Sequence, residues 1–424
     1  MDEIKKISYK MLGISENVIQ IAEECEQDLV ERFNEIDNVA LLNTAKVLSS
    51  FKSNRISDSH FKATTGYGYD DMGREAIERV YADIFKAEDA LVRINFVNGT
   101  HSLSTAIAGN LMSGDLLVSI TGAPYDTLAE TIGIVENNMS LISMGVKYQQ
   151  VELKNGTFDT EAIQEIIRNN KVKMVFIGRS RGYATRPSQT IEQIENVIRA
   201  IKEIDSNVIV MVDNCYGEFV EQKEPIEVGA DIIAGSLIKN LGGGLCETGG
   251  YIVGKKELIE NAAKRLTAPG IGKECGATLG KNKEVLQGLF MAPQAVKNAL
   301  KTAVLTAAML EKLGYDVSPS AWEFRTDIIQ SVILKDEKKL VSFIQGVQAA
   351  SPVDSFVVPM PWDMPGYSNP VIMAAGTFVS GASIELSCDA PVKEPYAVFM
   401  QGGLTYESAK LGICTAIDKM LRGE

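Results

Sequence analysis

The chain has 424 residues, with 42 Lys+Arg against 55 Asp+Glu, a formal net charge of −13, and 45% apolar residues. Acidity of this size argues against nucleic acid as a partner, because nothing offsets phosphate repulsion over the surface as a whole. Only two residues are histidine, His60 and His101, which excludes a His-rich metal site and makes a His-centred triad a poor starting point.

The N-terminus carries no apolar signal core. No stretch approaches the ~18 apolar residues that a membrane span needs, so a cytoplasmic chain is expected. Residues 1–60 read as helix, with Leu29, Phe33, Ile36, Val39 and Leu42 at three- or four-residue spacing. A loop rich in glycine and tyrosine follows at 64–71, then a helix over 74–85. From about 90 to 255 short apolar runs (90–97, 116–120, 174–177, 208–212, 231–234 and 251–253) alternate with amphipathic stretches at 160–168 and 191–202. Continuous apolar strands between helices indicate an α/β fold with a mostly parallel sheet covered on both faces. Residues 283–313 read as one long helix, with Pro293 as its weak point. Beyond 315 the pattern is smaller: a strand at 328–334, a helix at 338–349, a strand at 356–358, a proline-rich turn at 358–366 and a last helix at 406–422. The expected division is an N-terminal helical segment (1–60), a large α/β domain (61–290), and a long linking helix with a small C-terminal α+β domain (291–424). Six scattered cysteines without a CxxC pair read as free thiols of a reducing compartment rather than a zinc site or a disulfide framework.

Four features carry chemistry. Asn98-Gly99-Thr100-His101-Ser102 joins a strand to a helix start, where free amides and the helix dipole favour a phosphate. Thr121-Gly122-Ala123-Pro124-Tyr125 follows the next strand and offers an aromatic ring. Asp213 ends a buried strand, at the edge where open α/β sheets take ligands. Ser236-Leu237-Ile238-Lys239 ends another and precedes a glycine run, which lacks the GxxxxGK[ST] of a triphosphate loop. Each has a bland reading: helix cap, packed ring, turn carboxylate, surface lysine. Together they are the parts a pyridine-aldehyde cofactor needs: a phosphate anchor, a ring-stacking face, a carboxylate for the ring nitrogen and a condensing lysine.

That order resembles the fold-type I pyridoxal-phosphate enzymes of the cysteine/methionine-metabolism group. Residues 121–127 (TGAPYDT), 381–391 (GASIELSCDAP) and 401–406 (QGGLTY) resemble, within it, the methionine γ-lyase-like branch called aluminium-resistance proteins. The resemblance covers about 55–420. It implies a seven-stranded-type sheet and pyridoxal 5′-phosphate as cofactor. It also implies a homodimer or homotetramer whose subunits share active sites, acting on a small amino acid. Lys239 would condense with the cofactor and remove the substrate α-proton. Asp213 would pair with the ring nitrogen, and Ser236, Gly99 and Thr100 would hold the phosphate. Tyr67 or Tyr69 would reach a neighbouring subunit's phosphate. Tyr125 would stack on the ring and serve in catalysis, and Arg325, or else Arg181, would bind the substrate carboxylate. No metal is implied.

The chain departs from the pattern at three places. Thr121-Gly122-Ala123-Pro124 stands for Tyr-Gly-x-Thr, Tyr67-x-Tyr69 for Tyr-x-Arg, and 178–183 (GRSRGY) lacks Asn-Pro, with Arg179 or Arg181 as the compensating cation. The expected reaction is carbon–sulfur β- or γ-elimination from cystathionine, cysteine or methionine. Two other readings stay open. One is transamination, decarboxylation or retro-aldol cleavage on the same cofactor; the other is a non-catalytic protein that binds a metabolite or metal ion. The joint presence of Lys239 and Asp213 speaks against the latter. His101, Cys215, Cys246 and Glu218 have packing or capping roles as their simpler explanations. Trp362 with Tyr367 suggests a lid, and the glycine-rich loop 268–276 an interface or a site mouth.

Overall fold

The computed structural model describes residues 3–364 and 369–423. The apolar runs form a seven-stranded sheet: β1 (Asp89–Arg93), β2 (Leu116–Ser119), β3 (Lys147–Gln150), β4 (Val172–Gly178), β5 (Ile209–Asp213), β6 (Ile232–Ser236) and β7 (Gly250–Gly254). Their order is β1-β7-β6-β5-β4-β2-β3. β2 to β6 run parallel. β7 runs against both of its neighbours, β1 and β6, so β1 points the same way as β6. The carboxyl ends of β1, β2, β4, β5 and β6 therefore share one edge, which is where this architecture takes ligands. Val210, Met211, Val212, Ile232 and Ile233 are all fully buried. Burial on both faces is why their sequence is a continuous apolar run rather than an alternation.

Helices cover both faces. Ile191–Lys202 starts in a capping box: Gln193 N donates to Thr190 Oγ1 at 3.2 Å and Thr190 N donates to Gln193 Oε1 at 2.8 Å. Its Ile194, Val197, Ile198 and Ile201 pack into the main core. On the other face Gly99–Asn110 lies against Lys256–Leu266. The approach is close enough that a Cβ on Gly109 would fall 2.9 Å from Ala262 Cα.

The C-terminal part holds a second, five-stranded sheet of β8 (Asp316–Ser318), β9 (Gln330–Ile333), β10 (Val371–Ala374), β11 (Ser387–Pro391) and β12 (Ala397–Gln401). Its order is β10-β11-β12-β9-β8 and every pairing is antiparallel. Helices Glu337–Ala349 and Tyr406–Arg422 pack together behind it. Helix Asn282–Lys312 runs unbroken through Pro293, which leaves one carbonyl of the preceding turn without its helical donor.

The N-terminal stretch is helical, broken into Glu3–Met11, Glu16–Asp28 and Val30–Ser53. Val30–Ser53 lies along Asn282–Lys312, with Lys301 Nζ 2.7 Å from Asp37 Oδ1. Lys410 ties Glu16–Asp28 to the last helix through Glu23 at 2.8 Å and Glu26 at 2.7 Å.

Three expectations change. The run 90–97 is strand only to Arg93, because the chain must turn there to start the helix at Gly99. Residues 356–358 form no strand; Phe356 is 83% exposed, and among the described residues no strand pairs with it. β3, β8 and β10 to β12 went unread, β3 because Lys-Tyr-Gln-Gln is an exposed edge without an apolar pattern. All six cysteines are free. Among the described residues no helix is long and apolar enough to cross a membrane.

Candidate active site

A cavity of about 610 Å³ lies where the carboxyl edge of the large sheet meets the small one. Gly99, Thr100, Tyr125, Asp213, Ser236 and Lys239 all line it. The topology explains the convergence: each follows or ends a strand pointing to the same edge, and Gly178 of β4 pairs in register with Asp213 of β5.

Asn98 caps the helix that starts at Gly99, its Oδ1 accepting from His101 N at 2.9 Å. The cap serves the third amide of that helix, which leaves the Gly99 and Thr100 amides for an anion. A Cβ on Gly99 would come within 3.3 Å of Ser236 Cβ and 3.8 Å of Cys215 Sγ, so glycine keeps that cradle open. Thr100 Oγ1 lies 3.0 Å from both Tyr125 Oη and Thr127 Oγ1, which joins the cradle to the 121–127 turn.

Lys239 and Asp213 sit at the ends of neighbouring strands. Lys239 Nζ lies 4.0 Å from the centroid of the Tyr216 ring. Burial opposes charge on Lys239, but Cys215, Tyr216, Asp213 and Tyr125 together hold its pKa above the ordinary lysine value. Burial raises the Asp213 carboxyl, opposed by Lys239 and by the Cys215 amide, which donates to Oδ1 at 3.1 Å. Burial and then Asp213 push the Tyr125 phenol up, so it keeps its proton.

The other wall carries residues the sequence reading passed over. Arg186 lines the cavity, donating to Gly178 O at 2.9 Å and Ser180 O at 2.6 Å, and burial brings its pKa down to about 10 against the pull of Asp327. Asp389 of β11 and Gln401 of β12 face the cavity with Tyr183. Of the 178–183 segment, Arg181 is the candidate for the substrate carboxylate. It lines the cavity, with Nη1 donating to Ser318 O and Oγ at 3.0 Å. Arg179 is instead a core residue, fully buried and paired with Glu221 at 3.1 Å and Glu224 at 3.6 Å.

Arg325, the first choice for the substrate carboxylate, lies outside the cavity lining. Its Nη2 donates to Gln330 Oε1 at 2.6 Å, and burial brings its pKa down to about 9. The irregular segment leading into β9 turns its side chain inward, a consequence of tertiary packing that spacing does not encode. Tyr67 and Tyr69 also lie outside the cavity, stacked at 5.6 Å and exposed on the 64–71 loop. His101 turns away from it, its Nδ1 accepting from Val97 N at 3.2 Å. Glu218 is buried under Tyr251, whose hydroxyl donates to it at 2.6 Å. Cys246 packs in the core, whereas Cys215 borders the cavity. Loop 268–276 is pinned by Arg93 to Cys275 O at 3.1 Å and by Arg74 to Gly276 O at 2.7 Å. Trp362 pairs its backbone with Val371 at 3.0–3.1 Å; Tyr367 lies outside the described residues.

The residues present fit pyridoxal phosphate. A cradle that a Cβ on Gly99 would crowd, the two amides at the helix start and the Ser236 hydroxyl suit a phosphate. A carboxylate and a lysine at adjacent strand ends suit the ring nitrogen and the aldehyde.

The chain matches known proteins over nearly its whole length. The family model described as methionine gamma-lyase matches residues 18–421. A crystal structure from Clostridium acetobutylicum, provisionally named a cystathionine beta-lyase involved in aluminium resistance, superposes with a TM-score of 0.96 at 50% identity, covering 99% of each chain. A carbon–sulfur lyase involved in aluminium resistance from Clostridium novyi NT gives 0.95 at 46% identity, again covering 99% of each chain. The pyridoxal-5′-phosphate-dependent protein YhfS of Escherichia coli gives 0.61 at 16% identity, over 90% of this chain and 96% of its own, and bears on the fold alone.

Proposed function

This chain belongs to the methionine γ-lyase family, and from that premise we propose that it is a pyridoxal-phosphate-dependent carbon–sulfur lyase. Its substrate is a sulfur amino acid, and its products are a 2-keto acid, ammonia and a thiol, or hydrogen sulfide where the substrate is cysteine. The observation that carries the reading is the convergence of Lys239, Asp213 and the Gly99–Thr100–Ser236 cradle on one cavity. The names given to the two Clostridium structures support it.

When bound, the cofactor supplies an electron sink for the charge left at the substrate α-carbon. The side chains do the rest. The Gly99 and Thr100 amides and the Ser236 hydroxyl hold the phosphate. Asp213 keeps the ring nitrogen cationic, aided by the Cys215 amide that fixes its carboxylate. The Lys239 amine takes the α-proton. Tyr125, which keeps its own proton, supplies the stacking face and is a donor toward the departing sulfur. Arg181 and Arg186 replace Arg325 as the groups for the substrate α-carboxylate, because they line the cavity and it does not. A second copy of the chain completes the site through Tyr67 or Tyr69, which are 72% and 58% exposed.

The test is direct. Purified protein loaded with pyridoxal phosphate is offered cystathionine, cysteine and methionine, and keto acid, ammonia and thiol are measured. Release of all three products supports the reading. Exchange of the α-proton without thiol release would move it to another reaction on the same cofactor.

A further inference from the structure

The small-domain wall of the cavity contains a carboxylate that the proposed elimination does not use. Asp389 lies in β11, a strand with neighbours on both sides, and is 7% exposed. It borders the cavity together with Gln401 and Tyr183. Its Oδ2 accepts from Tyr183 Oη at 2.9 Å and from Gln401 Nε2 at 3.1 Å. Tyr183 is itself seated edge-on against Phe399 of β12, ring centroids 5.7 Å apart. Both hydrogen-bonding partners are neutral, and among the described residues no lysine, arginine or histidine pairs with Asp389.

A carboxylate buried without a cation is costly, and a neutral residue would serve the strand better if packing were the only demand. Burial moves this carboxyl up to about 6, and the Tyr183 and Gln401 hydrogen bonds favour its charged form. A fixed, unpaired anion in a cavity wall calls for a cation from the ligand. The α-carboxylate of an amino acid cannot be its partner, and the α-amino group is committed to the cofactor at the other wall.

We propose that Asp389, held by Tyr183 and Gln401, binds a second ammonium carried on the sulfur substituent of the substrate. The substrate class is then a thioether amino acid whose leaving arm ends in a cationic amine, rather than one with a neutral alkyl arm such as methionine. This inference rests on the carbon–sulfur lyase reading of the same cavity and adds to it which arm the cavity selects.

The experiment compares S-(2-aminoethyl)-L-cysteine with S-propyl-L-cysteine, which differ by an ammonium in place of a terminal methyl. Turnover is measured by keto-acid release and binding by calorimetry on the cofactor-loaded protein, with the native chain and with Asp389→Asn. The native enzyme is expected to favour the aminoethyl compound by about tenfold or more, the size of one charge-assisted contact, mainly through KM. Asp389→Asn keeps an acceptor for Tyr183 and Gln401, and is expected to lose that preference while still cleaving the propyl compound. Equal treatment of the two compounds by the native enzyme overturns the inference and, with both cleaved, leaves the lyase reading intact. A preference that persists in folded Asp389→Asn overturns the assignment to Asp389. If neither compound is cleaved, the calorimetric preference decides the inference by the same comparison, and the lyase reading stands or falls separately on the assay with cystathionine, cysteine and methionine. The native comparison needs no variant, so a poorly folding substitution does not shelter the claim.

Discussion

Replacing Ser236 by alanine probes the phosphate cradle. The side chain is fully buried at the end of β6, beside the space that Gly99 leaves open. Its only hydrogen bond among the described residues is accepted from Ile238 N at 3.3 Å, long enough to be weak. Stability should therefore fall by no more than about 1 kcal/mol. Toward a bound phosphate the hydroxyl is a donor to an anion, a contact of about 1.5–3 kcal/mol, or roughly 10- to 100-fold in affinity. The assay is titration of the cofactor-free protein with pyridoxal phosphate, followed by visible absorbance, beside a melting curve of each cofactor-free protein. Ser236→Ala should melt close to the parent and bind the cofactor roughly 10- to 100-fold more weakly. Gly99→Ala should weaken binding from the opposite side, because its methyl enters the same space. Unchanged affinity in a folded Ser236→Ala would refute the cradle.

Other consequences bear on stability and assembly. Arg179→Leu leaves Glu224 buried without its cation and should cost about 3–5 kcal/mol in urea unfolding, against a much smaller loss for a surface arginine. Glu218 is buried beneath Tyr251, and burial lifts its pKa from 4.5 to about 8. Between those values the native state holds a proton that the unfolded chain releases, so stability falls as pH rises through that window. Glu218→Gln, compared by chemical denaturation at several pH values, should flatten that fall. A site completed by a second subunit predicts complementation: mixing unfolded and refolded Lys239→Ala with a Tyr67→Ala/Tyr69→Ala double variant should restore activity that neither has alone. Failure of hybrids to gain activity would count against the shared site.

Much of the active centre was legible because its residues end apolar runs. Asp213 and Lys239 stand at the carboxyl ends of β5 and β6, and strand direction alone brings them to one edge. Gly99 and Thr100 were readable because a strand, then Asn-Gly-Thr, then a helix is a local pattern. The second wall was not legible. β10 (Val-Ile-Met-Ala) and β12 (Ala-Val-Phe-Met-Gln) are apolar but only four and five residues long, and the aspartate of Cys388-Asp389-Ala390-Pro391 in β11 looks like a turn residue until the sheet places it. The arginines fail for a related reason. Arg179, Arg181 and Arg186 sit in one loop, yet one enters the core and two face the cavity, and Arg325 is turned inward toward Gln330. Spacing fixes where a long side chain starts, and packing fixes where its charge ends.

The central claim is that Lys239 is the lysine that bonds the cofactor. Borohydride reduction of the cofactor-loaded protein, followed by digestion and mass spectrometry, reads this directly. The expected result is a single pyridoxyl-modified peptide carrying the label on Lys239, and no modified peptide from Lys239→Ala. A label on another lysine, or a native protein that neither yellows with added pyridoxal phosphate nor takes up any label, would contradict it.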